Sequence, residues 1–273
     1  MNRSYFGLSS ALFPAPLPAD WEESRKAGFR AAELSVSSHG PCICPEDCFR
    51  IGGKVATDIQ EAGLLLWTVH IPYGPQWDPS VADQAERMEN CGRIRAVLEE
   101  SARWGAKGAV LHGSYEPVPL DAAQREIRLE CARESTAFLA EEAERMGLFL
   151  AIEDLPRSCL GNCSGELREI LGSSGASVCF DVNHLLMESH ADFLSSLGSR
   201  VQTLHLSDYD FQDECHWLPG DGKINWVSLM DDLESTGYDG PLLFEISHRR
   251  LTGVRPADVL EKFHQAVSRG THL

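Results

Sequence analysis

Short apolar runs alternate with longer amphipathic stretches along the chain, and this pattern predicts strands separated by helices. The stretches between the apolar runs are long enough to return the chain, as parallel strands require. The predicted strands are Tyr5–Ser9, Ala31–Leu34, Leu64–His70, Gly108–His112, Leu148–Glu153, Ser177–Asp181, Val201–His205 and Pro241–Ile246. The predicted helices are Ala19–Ala27, Pro45–Ala62, Val81–Trp104, Asp121–Met146, Gly165–Leu171, Ala191–Leu197, Trp226–Ser235 and Pro256–Arg269.

Eight strand–helix units in 273 residues predict one (β/α)8 TIM barrel, a single domain over residues 1–273. About 250 residues is the usual size of such a barrel. A doubly wound open sheet is the structural alternative. Glycines follow many of the predicted helices by about one position, as left-handed C-caps do. They are Gly28, Gly63, Gly105, Gly147, Gly198 and Gly237.

Six of the apolar runs end on a side chain that can bind a metal ion or move a proton. An ordinary buried strand ends in turn residues such as glycine, asparagine or serine. The strands of a TIM barrel all open at their carboxyl ends onto one face, where active sites are built. We therefore expect these six residues to converge on one site: His70, His112, Glu153, Asp181, His205 and Glu245.

Four of these residues form a ligand set for a hard or borderline divalent cation. Glu153, Asp181, His205 and Glu245 offer three carboxylates and one imidazole. This mixture suits Mn²⁺, Mg²⁺, Co²⁺ or Zn²⁺ and contains no thiolate. Without a cation the carboxylates would repel one another. The alternative is that some of them cap backbone amides or pair with basic residues such as Arg157.

Composition narrows the classes of partner. The chain is 43% apolar but has no apolar run near the ~20 residues that span a bilayer, and no signal-peptide pattern, so we expect a soluble, cytoplasmic protein. Nine cysteines, including Cys42, Cys44 and Cys48 in one loop, fit reduced thiols better than disulfides or a metal clip. A net charge of −17 disfavours nucleic acid. Mixed charged and apolar outer helices leave homo-oligomerisation open.

Several motifs at the predicted strand ends belong together. They are ELS at Glu33–Ser35, IEDLP at Ile152–Pro156, FDVNH at Phe180–His184, HLSD at His205–Asp208, HWLPGDGKINW at His216–Trp226 and FE at Phe244–Glu245. With these motifs the chain resembles the xylose isomerase-like barrels, the superfamily of sugar phosphate isomerases/epimerases and AP endonuclease family 2. The resemblance covers nearly the whole chain.

The resemblance implies a carbohydrate substrate and one divalent metal per chain, held by Glu153, Asp181, His205 and Glu245. Glu153 and Glu245 would remove and return a proton beside a carbonyl, with the metal stabilising the enediolate. The residues implied in substrate binding are His70, His112, His184 and His216, and Trp217 is placed to stack on a sugar. Ketose 3-epimerases of the superfamily carry an arginine shortly before the PG turn. This chain has Glu214-Cys-His there, which argues against a ketohexose.

Two other reactions stay open. One is dehydration or elimination on a keto-inositol or 3-keto-glycoside, which begins with the same proton abstraction. The other is phosphodiester hydrolysis by three zinc ions, as in the AP endonuclease branch. Its extra ligands would be His70, His112, His184, Glu214 and His216. The acidic net charge argues against a DNA substrate, since a DNA enzyme needs basic contacts to phosphate.

Overall fold

Eight parallel strands form a barrel enclosed by eight helices in the residues that the computed structural model describes, which are 5–40, 42–115 and 119–268. The strands are β1 (Phe6–Ser9), β2 (Phe29–Ser35), β3 (Leu65–His70), β4 (Gly108–His112), β5 (Phe149–Glu153), β6 (Ser177–Asp181), β7 (Val201–His205) and β8 (Leu242–Phe244). The helices are α1 (Pro18–Ala27), α2 (Pro45–Glu61), α3 (Gln84–Arg103), α4 (Ala122–Arg145), α5 (Ser164–Leu171), α6 (His190–Leu197), α7 (Trp226–Ser235) and α8 (Pro256–Ser268).

The strand order confirms the predicted TIM barrel. Each strand from β1 to β6 pairs in parallel with the next one, and β8 pairs with β1. Two backbone hydrogen bonds close the barrel between β7 and β8. Leu206 N donates to Leu243 O at 2.8 Å, and Glu245 N donates to Leu206 O at 3.1 Å. All eight strands therefore open at their carboxyl ends onto one face.

Side-chain caps explain where two long helices begin. Helix α3 begins at Gln84, three residues after the predicted start, because the Asp83 side chain accepts a hydrogen bond from Glu86 N at 2.9 Å. Asp121 and Gln124 form a reciprocal capping box at the start of α4. Such caps satisfy amides that have no partner inside the helix. The predicted end of the last helix, Arg269, lies outside the described residues.

The predicted left-handed glycines are confirmed at five of six positions: Gly28, Gly63, Gly105, Gly147 and Gly237 have φ between 76° and 125°. The prediction for Gly198 is wrong, since its φ is −55°. The chain continues there into a 3₁₀ helix, Gly198–Arg200. A glycine is needed at this position for another reason, because a Cβ atom would lie 2.4 Å from Thr236 Cγ2.

The barrel interior is filled below the site. Val110, Ala151 and Cys179 on β4, β5 and β6 form a small buried cluster with Phe149 packed against it. A much larger cluster lies between the barrel and its helices. Since the interior is packed rather than hollow, ligands have access only from the open end of the barrel.

The outer helical surface is charged. Ion pairs join neighbouring helices, such as Arg95 of α3 with Glu142 of α4 at 2.7 Å. No helix in the described ranges has both the length and the apolar character needed to cross a bilayer.

Candidate active site

Strand register brings the predicted residues together in pairs. His112 on β4 pairs with Glu153 on β5, and Asp181 on β6 pairs with His205 on β7. His70 ends β3, and Glu245 follows β8 directly. All six strand-end residues therefore lie at the same end of the barrel, and all except the partly exposed His112 and Glu245 are buried.

Glu153 lies at the centre of the group. Its Oε2 is 3.1 Å from His70 Nε2 and 3.0 Å from His112 Nε2, while its Oε1 is 3.0 Å from His205 Nδ1. Burial by itself raises the pKa of Glu153, but the surrounding imidazoles, His205 and His112 foremost, hold it well below the usual range. The carboxylate is therefore ionised at neutral pH and accepts hydrogen bonds through both oxygens.

The four proposed metal ligands form one compact cluster. One donor atom from each of Glu153, Asp181, His205 and Glu245 lies within 4.8 Å of the others. His205 Nδ1 is 3.4 Å from Glu245 Oε2 and 3.8 Å from Asp181 Oδ2. The Asp181 Oδ2 atom is buried and has no hydrogen-bond partner among the described residues. A buried carboxylate oxygen without a donor is costly unless a cation or proton compensates it, so this donor set fits a divalent ion.

Glu33 is a site residue that the strand-end pattern does not single out. It is fully buried on β2, with Oε2 at 3.0 Å from His205 Nε2 and 2.8 Å from Thr68 Oγ1. Burial raises the pKa of Glu33, but the nearby His205 lowers it by more, so the net shift of the Glu33 pKa is downward. Glu33 thereby holds the far nitrogen of His205, so that Nδ1 faces the acidic cluster. A glutamate inside an otherwise apolar strand was the available signal.

Asp154 is a second buried acid that the pattern does not single out. Its Oδ1 accepts a hydrogen bond from Asp181 N at 2.8 Å, and its Oδ2 has no partner among the described residues. Burial and the nearby Asp181 raise the pKa of Asp154 well above its usual range. Asp154 therefore ties β5 to the end of β6 and fixes the backbone of Asp181.

His184 and His216 lie beside the cluster. His184 Nδ1 is 2.8 Å from the Asp154 carbonyl oxygen, which directs Nε2 toward Asp181 Oδ2 at 3.5 Å. Donor atoms of Asp181, His184 and His216 lie within 4.8 Å of one another, as do those of His70, His112 and Glu153. Glu214 Oε2 is 3.7 Å from His184 Nε2 but only 3.0 Å from Arg157 Nη1. The structure thus places three ligand groups side by side, with Glu214 held by a guanidinium.

Asp208 builds the loop that carries His216. Its carboxylate accepts hydrogen bonds from the backbone amides of Tyr209, Gly220 and Ile224 at 2.9, 2.7 and 3.1 Å, and from Trp226 Nε1 at 2.9 Å. Only glycine fits at position 222, since a Cβ atom there would lie 2.3 Å from Asp208 Oδ1. The PGDG segment is therefore folded around a buried acid.

His216 and Trp217 have different positions in this loop. His216 has a φ of 50°, which is uncommon outside glycine and indicates that surrounding contacts fix the loop. Trp217 pairs with Asp208 through two backbone hydrogen bonds of 2.8 and 3.0 Å, and its side chain packs against the main core. Trp217 is not among the described residues that line the cavity. His216 therefore lines the cavity, whereas Trp217 lies beside it.

A cavity of about 300 Å³ opens above the cluster. His70, His112, Glu153 and Glu245 line its inner part. The mouth carries aromatic and basic side chains, including Tyr73, Tyr115, Arg157, Arg249 and Arg250. The Tyr73 ring stacks on His112 with centroids 5.2 Å apart and an interplanar angle of 11°. A volume of this size suits a small ligand.

The loop cysteines lie outside this site. Cys44 is the N-cap of α2, and Cys42 and Cys48 are buried beside it. None of them belongs to a group of three or more candidate metal ligands within the described part of the chain.

Comparison with known proteins identifies the family. The model of the family AP_endonuc_2, described as xylose isomerase-like TIM barrel, matches residues 21–265. An uncharacterised protein of Methanocaldococcus jannaschii is 24% identical over 96% of this chain and 90% of its own length. Fructoselysine 3-epimerase of Escherichia coli O157:H7 is 27% identical over 70% of this chain and 74% of its own.

A solved structure shares the fold. The crystal structure of a D-tagatose 3-epimerase-like protein superposes with a TM-score of 0.78 over 98% of this chain and 99% of that one. The two sequences are 21% identical. At this level of identity the likeness concerns the barrel itself.

Proposed function

Since this chain belongs to the xylose isomerase-like TIM barrel family, we propose that it is a divalent-metal-dependent isomerase or epimerase of a carbonyl-bearing carbohydrate. The observation that carries the proposal is the cluster of Glu153, Asp181, His205 and Glu245 at the open end of the barrel. Three carboxylates and an imidazole with an unsatisfied buried oxygen form a cation site rather than a set of structural ion pairs. The 3-epimerases among the similar proteins support the choice of substrate class.

In this proposal the four clustered residues hold one Mn²⁺, Mg²⁺, Co²⁺ or Zn²⁺ ion. When bound, such an ion polarises a carbonyl oxygen and acidifies the adjacent C–H bond. Glu153 is suited to holding it, because a carboxylate with a strongly lowered pKa stays ionised at neutral pH. Asp181 supplies the oxygen that has no other partner.

Proton transfer falls to Glu245 and Glu153. Glu245 lines the cavity and is partly exposed, and among the described residues no imidazole nitrogen comes nearer to its carboxylate than His205 Nδ1, at 3.4 Å. Glu153 is more constrained, with three imidazole contacts near 3 Å. We therefore assign the first proton abstraction to Glu245. Glu153 would return the proton on the opposite face of the reacting carbon. An acid and a base on two sides of one carbon are what epimerisation requires.

The imidazoles that line the cavity are assigned to the substrate hydroxyls. His112 and His216 are the more exposed of them, while His70 and His184 are nearly buried. His184 Nδ1 is already engaged with the Asp154 carbonyl, so only Nε2 is available to a ligand. Dehydration or elimination on a keto-inositol or 3-keto-glycoside would use the same residues for its first step and differ only in the product.

Phosphodiester hydrolysis is a second candidate, and the three adjacent ligand groups favour it. Two observations favour the mononuclear enzyme over it. Glu214, needed for the third zinc ion, is 3.0 Å from Arg157 and 3.9 Å from Arg250, and these cations disfavour a further cation there. The net charge of −17 disfavours a DNA substrate.

The deciding experiment combines metal analysis with deuterium exchange. We expect about one divalent ion per chain, and we expect NMR in D₂O to show deuterium entering beside the carbonyl of a ketose, an inosose or a 3-keto-glycoside. Glu245→Gln should abolish the exchange. Glu144→Gln, on the exposed face of α4, is the matched control and should leave it unchanged. Three zinc ions with cleavage of a phosphodiester, or exchange that survives in Glu245→Gln, would overturn the proposal.

A further inference from the structure

The mouth of the cavity carries the opposite charge from the rest of the molecule. The chain has 24 basic and 41 acidic residues, and the inner part of the cavity is acidic. Yet Arg157, Arg249 and Arg250 all line the mouth. Neither the acidic cluster nor the net charge of −17 accounts for cations at this position, so the basic mouth requires an explanation.

Arg249 is the member of this group whose charge is not matched by an acid. Its Nη2 donates to the Ser37 carbonyl oxygen at 3.3 Å, and its side chain lines the same cavity as Tyr73. Over residues 5–40, 42–115 and 119–268, no carboxylate lies within ion-pair distance of it. Arg250 is only weakly matched, with Nη2 at 3.9 Å from Glu214 Oε1 and half of its side chain exposed. Guanidinium groups in this state keep donors available for a planar or tetrahedral oxyanion.

The turn that carries the two arginines is held chiefly by its backbone and by His248, in addition to the single 3.3 Å contact of Arg249 with Ser37. His248 N and His248 Nδ1 lie 3.0 and 2.8 Å from the Ala11 carbonyl oxygen. Arg250 N and Leu251 N donate to the Ser247 carbonyl oxygen, each at 3.0 Å. Because backbone and His248 contacts fix the turn, a role in folding does not account for the arginines.

The arginines and the acidic cluster lie along one wall of the cavity. Arg249 and Tyr73 both line the cavity, the Tyr73 ring stacks on His112, and His112 Nε2 is 3.0 Å from Glu153 Oε2. One wall of the cavity therefore runs from the reacting carboxylate at the bottom to a guanidinium at the mouth. A small ligand in about 300 Å³ would contact both ends.

We propose that the substrate carries an anionic group, a carboxylate or a phosphate, at the end remote from the reacting carbon, and that Arg249 and Arg250 bind it. The inference rests on the proposed function for the identity of the other end of the ligand. Arg249 supplies the unmatched charge, and Arg250 joins it by exchanging its long contact with Glu214 for the ligand. Arg249 and Arg250 are thus specificity-determining residues that do not touch the reacting atoms.

The test measures binding by calorimetry to the metal-loaded full chain. Three probes are used: D-tagatose, the same sugar phosphorylated on its terminal carbon, and the same sugar with that carbon oxidised to a carboxylate. We expect one charged form to bind at least about tenfold more tightly than the neutral sugar, as charge-assisted hydrogen bonds allow. Which charged form gains distinguishes phosphate from carboxylate. Higher salt should reduce the gain.

Variants assign the gain to the arginines. In the double variant Arg249→Gln/Arg250→Gln, the charged and neutral sugars should bind alike. Arg145→Gln, an exposed arginine at the end of α4, is the control and should keep the preference. Unchanged circular dichroism would show that the double variant is folded.

The outcomes separate this inference from the proposed function. Equal affinities of the three probes for the unaltered protein, or a preference that survives in the double variant, would overturn the arginine site even if the protein epimerises a sugar. A charge preference that depends on the arginines supports the site, and it does so even when no deuterium exchange occurs, which would count against the epimerase. Absence of binding to both charged sugars and to inorganic phosphate would also overturn the site.

Discussion

Replacing Asp208 by asparagine tests whether a buried carboxylate builds the loop over the cavity. Asp208 is fully buried and accepts four hydrogen bonds, two on each oxygen. An asparagine keeps one acceptor oxygen and turns an NH₂ group toward two N–H donors. If the amide faces Gly220 and Trp226, those two bonds are lost. If it is flipped, the bonds from Tyr209 and Ile224 are lost instead.

The structure sets the magnitude of this effect. A hydrogen bond to a charged group contributes about 1.5–3 kcal/mol, and either orientation of the amide loses two of them. We therefore expect Asp208→Asn to lower the free energy of unfolding by about 3–6 kcal/mol. Asp221→Asn is the matched control in the same loop. Asp221 forms one ion pair with Lys262 at 2.6 Å, both side chains being 40% exposed, so its loss should cost less than about 1 kcal/mol.

Urea unfolding followed by tryptophan fluorescence measures the difference, and hydrogen exchange of the Gly220 and Ile224 amides locates it. Whichever of these two amides faces the asparagine NH₂ group should exchange much faster in Asp208→Asn than in the control. Weaker sugar binding is also expected. The backbone of Trp217 pairs with that of Asp208, so a change at Asp208 would displace the neighbouring His216. If the two variants unfold within about 1 kcal/mol of each other, the loop does not depend on this carboxylate and the account is wrong.

Three further results are expected at the cluster. Burial lowers the pKa of His70, but the carboxylates around it, Glu153 foremost, raise it to about 9 overall. The stability that protonated His70 contributes is complete below pH ~6.5 and is lost as the pH rises through about 9. The melting temperature of protein freed of metal by a chelator should therefore fall over that range, and less steeply in His70→Gln. Glu33→Gln should weaken Co²⁺ binding by about 10–100-fold in a chelator competition, since Glu33 orients His205; unchanged affinity would contradict that role. Saturating Mn²⁺, at about 100 times its dissociation constant, should stabilise the protein by about 2.7 kcal/mol, and Asp181→Asn should show no such increase.

The convergence of the strand-end residues was predictable because it depends only on strand direction. Once the strands are parallel, every carboxyl end opens on one face, and residues such as His112 and Glu153 become neighbours through register. The metal ligands remain predictions, although the structure brings all four together. Caps and turns were less predictable, because they depend on single side chains. Asp83 moves the start of α3, and Thr236 leaves no room for a Cβ atom at Gly198.

Glu33 shows why the remainder of the site could not be read from the strand pattern. The register between β2 and β3 shifts between Ala32 and Glu33, and the shift places Glu33 opposite Thr68. Simple alternation along β2 does not reveal such an irregularity, which re-aims the side chains that follow it. Trp217 is a second example of a position that the strand pattern does not fix. Its stacking on a sugar stays a prediction, while its backbone pairs with Asp208 and its half-buried side chain packs against the core.

The net charge and the local charge at the cavity mouth lead to different conclusions about anionic ligands. The net charge concerns large polyanions such as DNA, and the local charge concerns small anions. Fields from exposed charges are largely screened beyond about 8 Å at physiological ionic strength. A polynucleotide extends over many such lengths and would meet the acidic surface of a chain with a net charge of −17. A small anion at the cavity mouth is within reach of Arg249 and Arg250 and is screened from most of the remaining surface. An acidic protein that disfavours DNA can therefore select an anionic sugar, because local rather than total charge determines what enters the cavity.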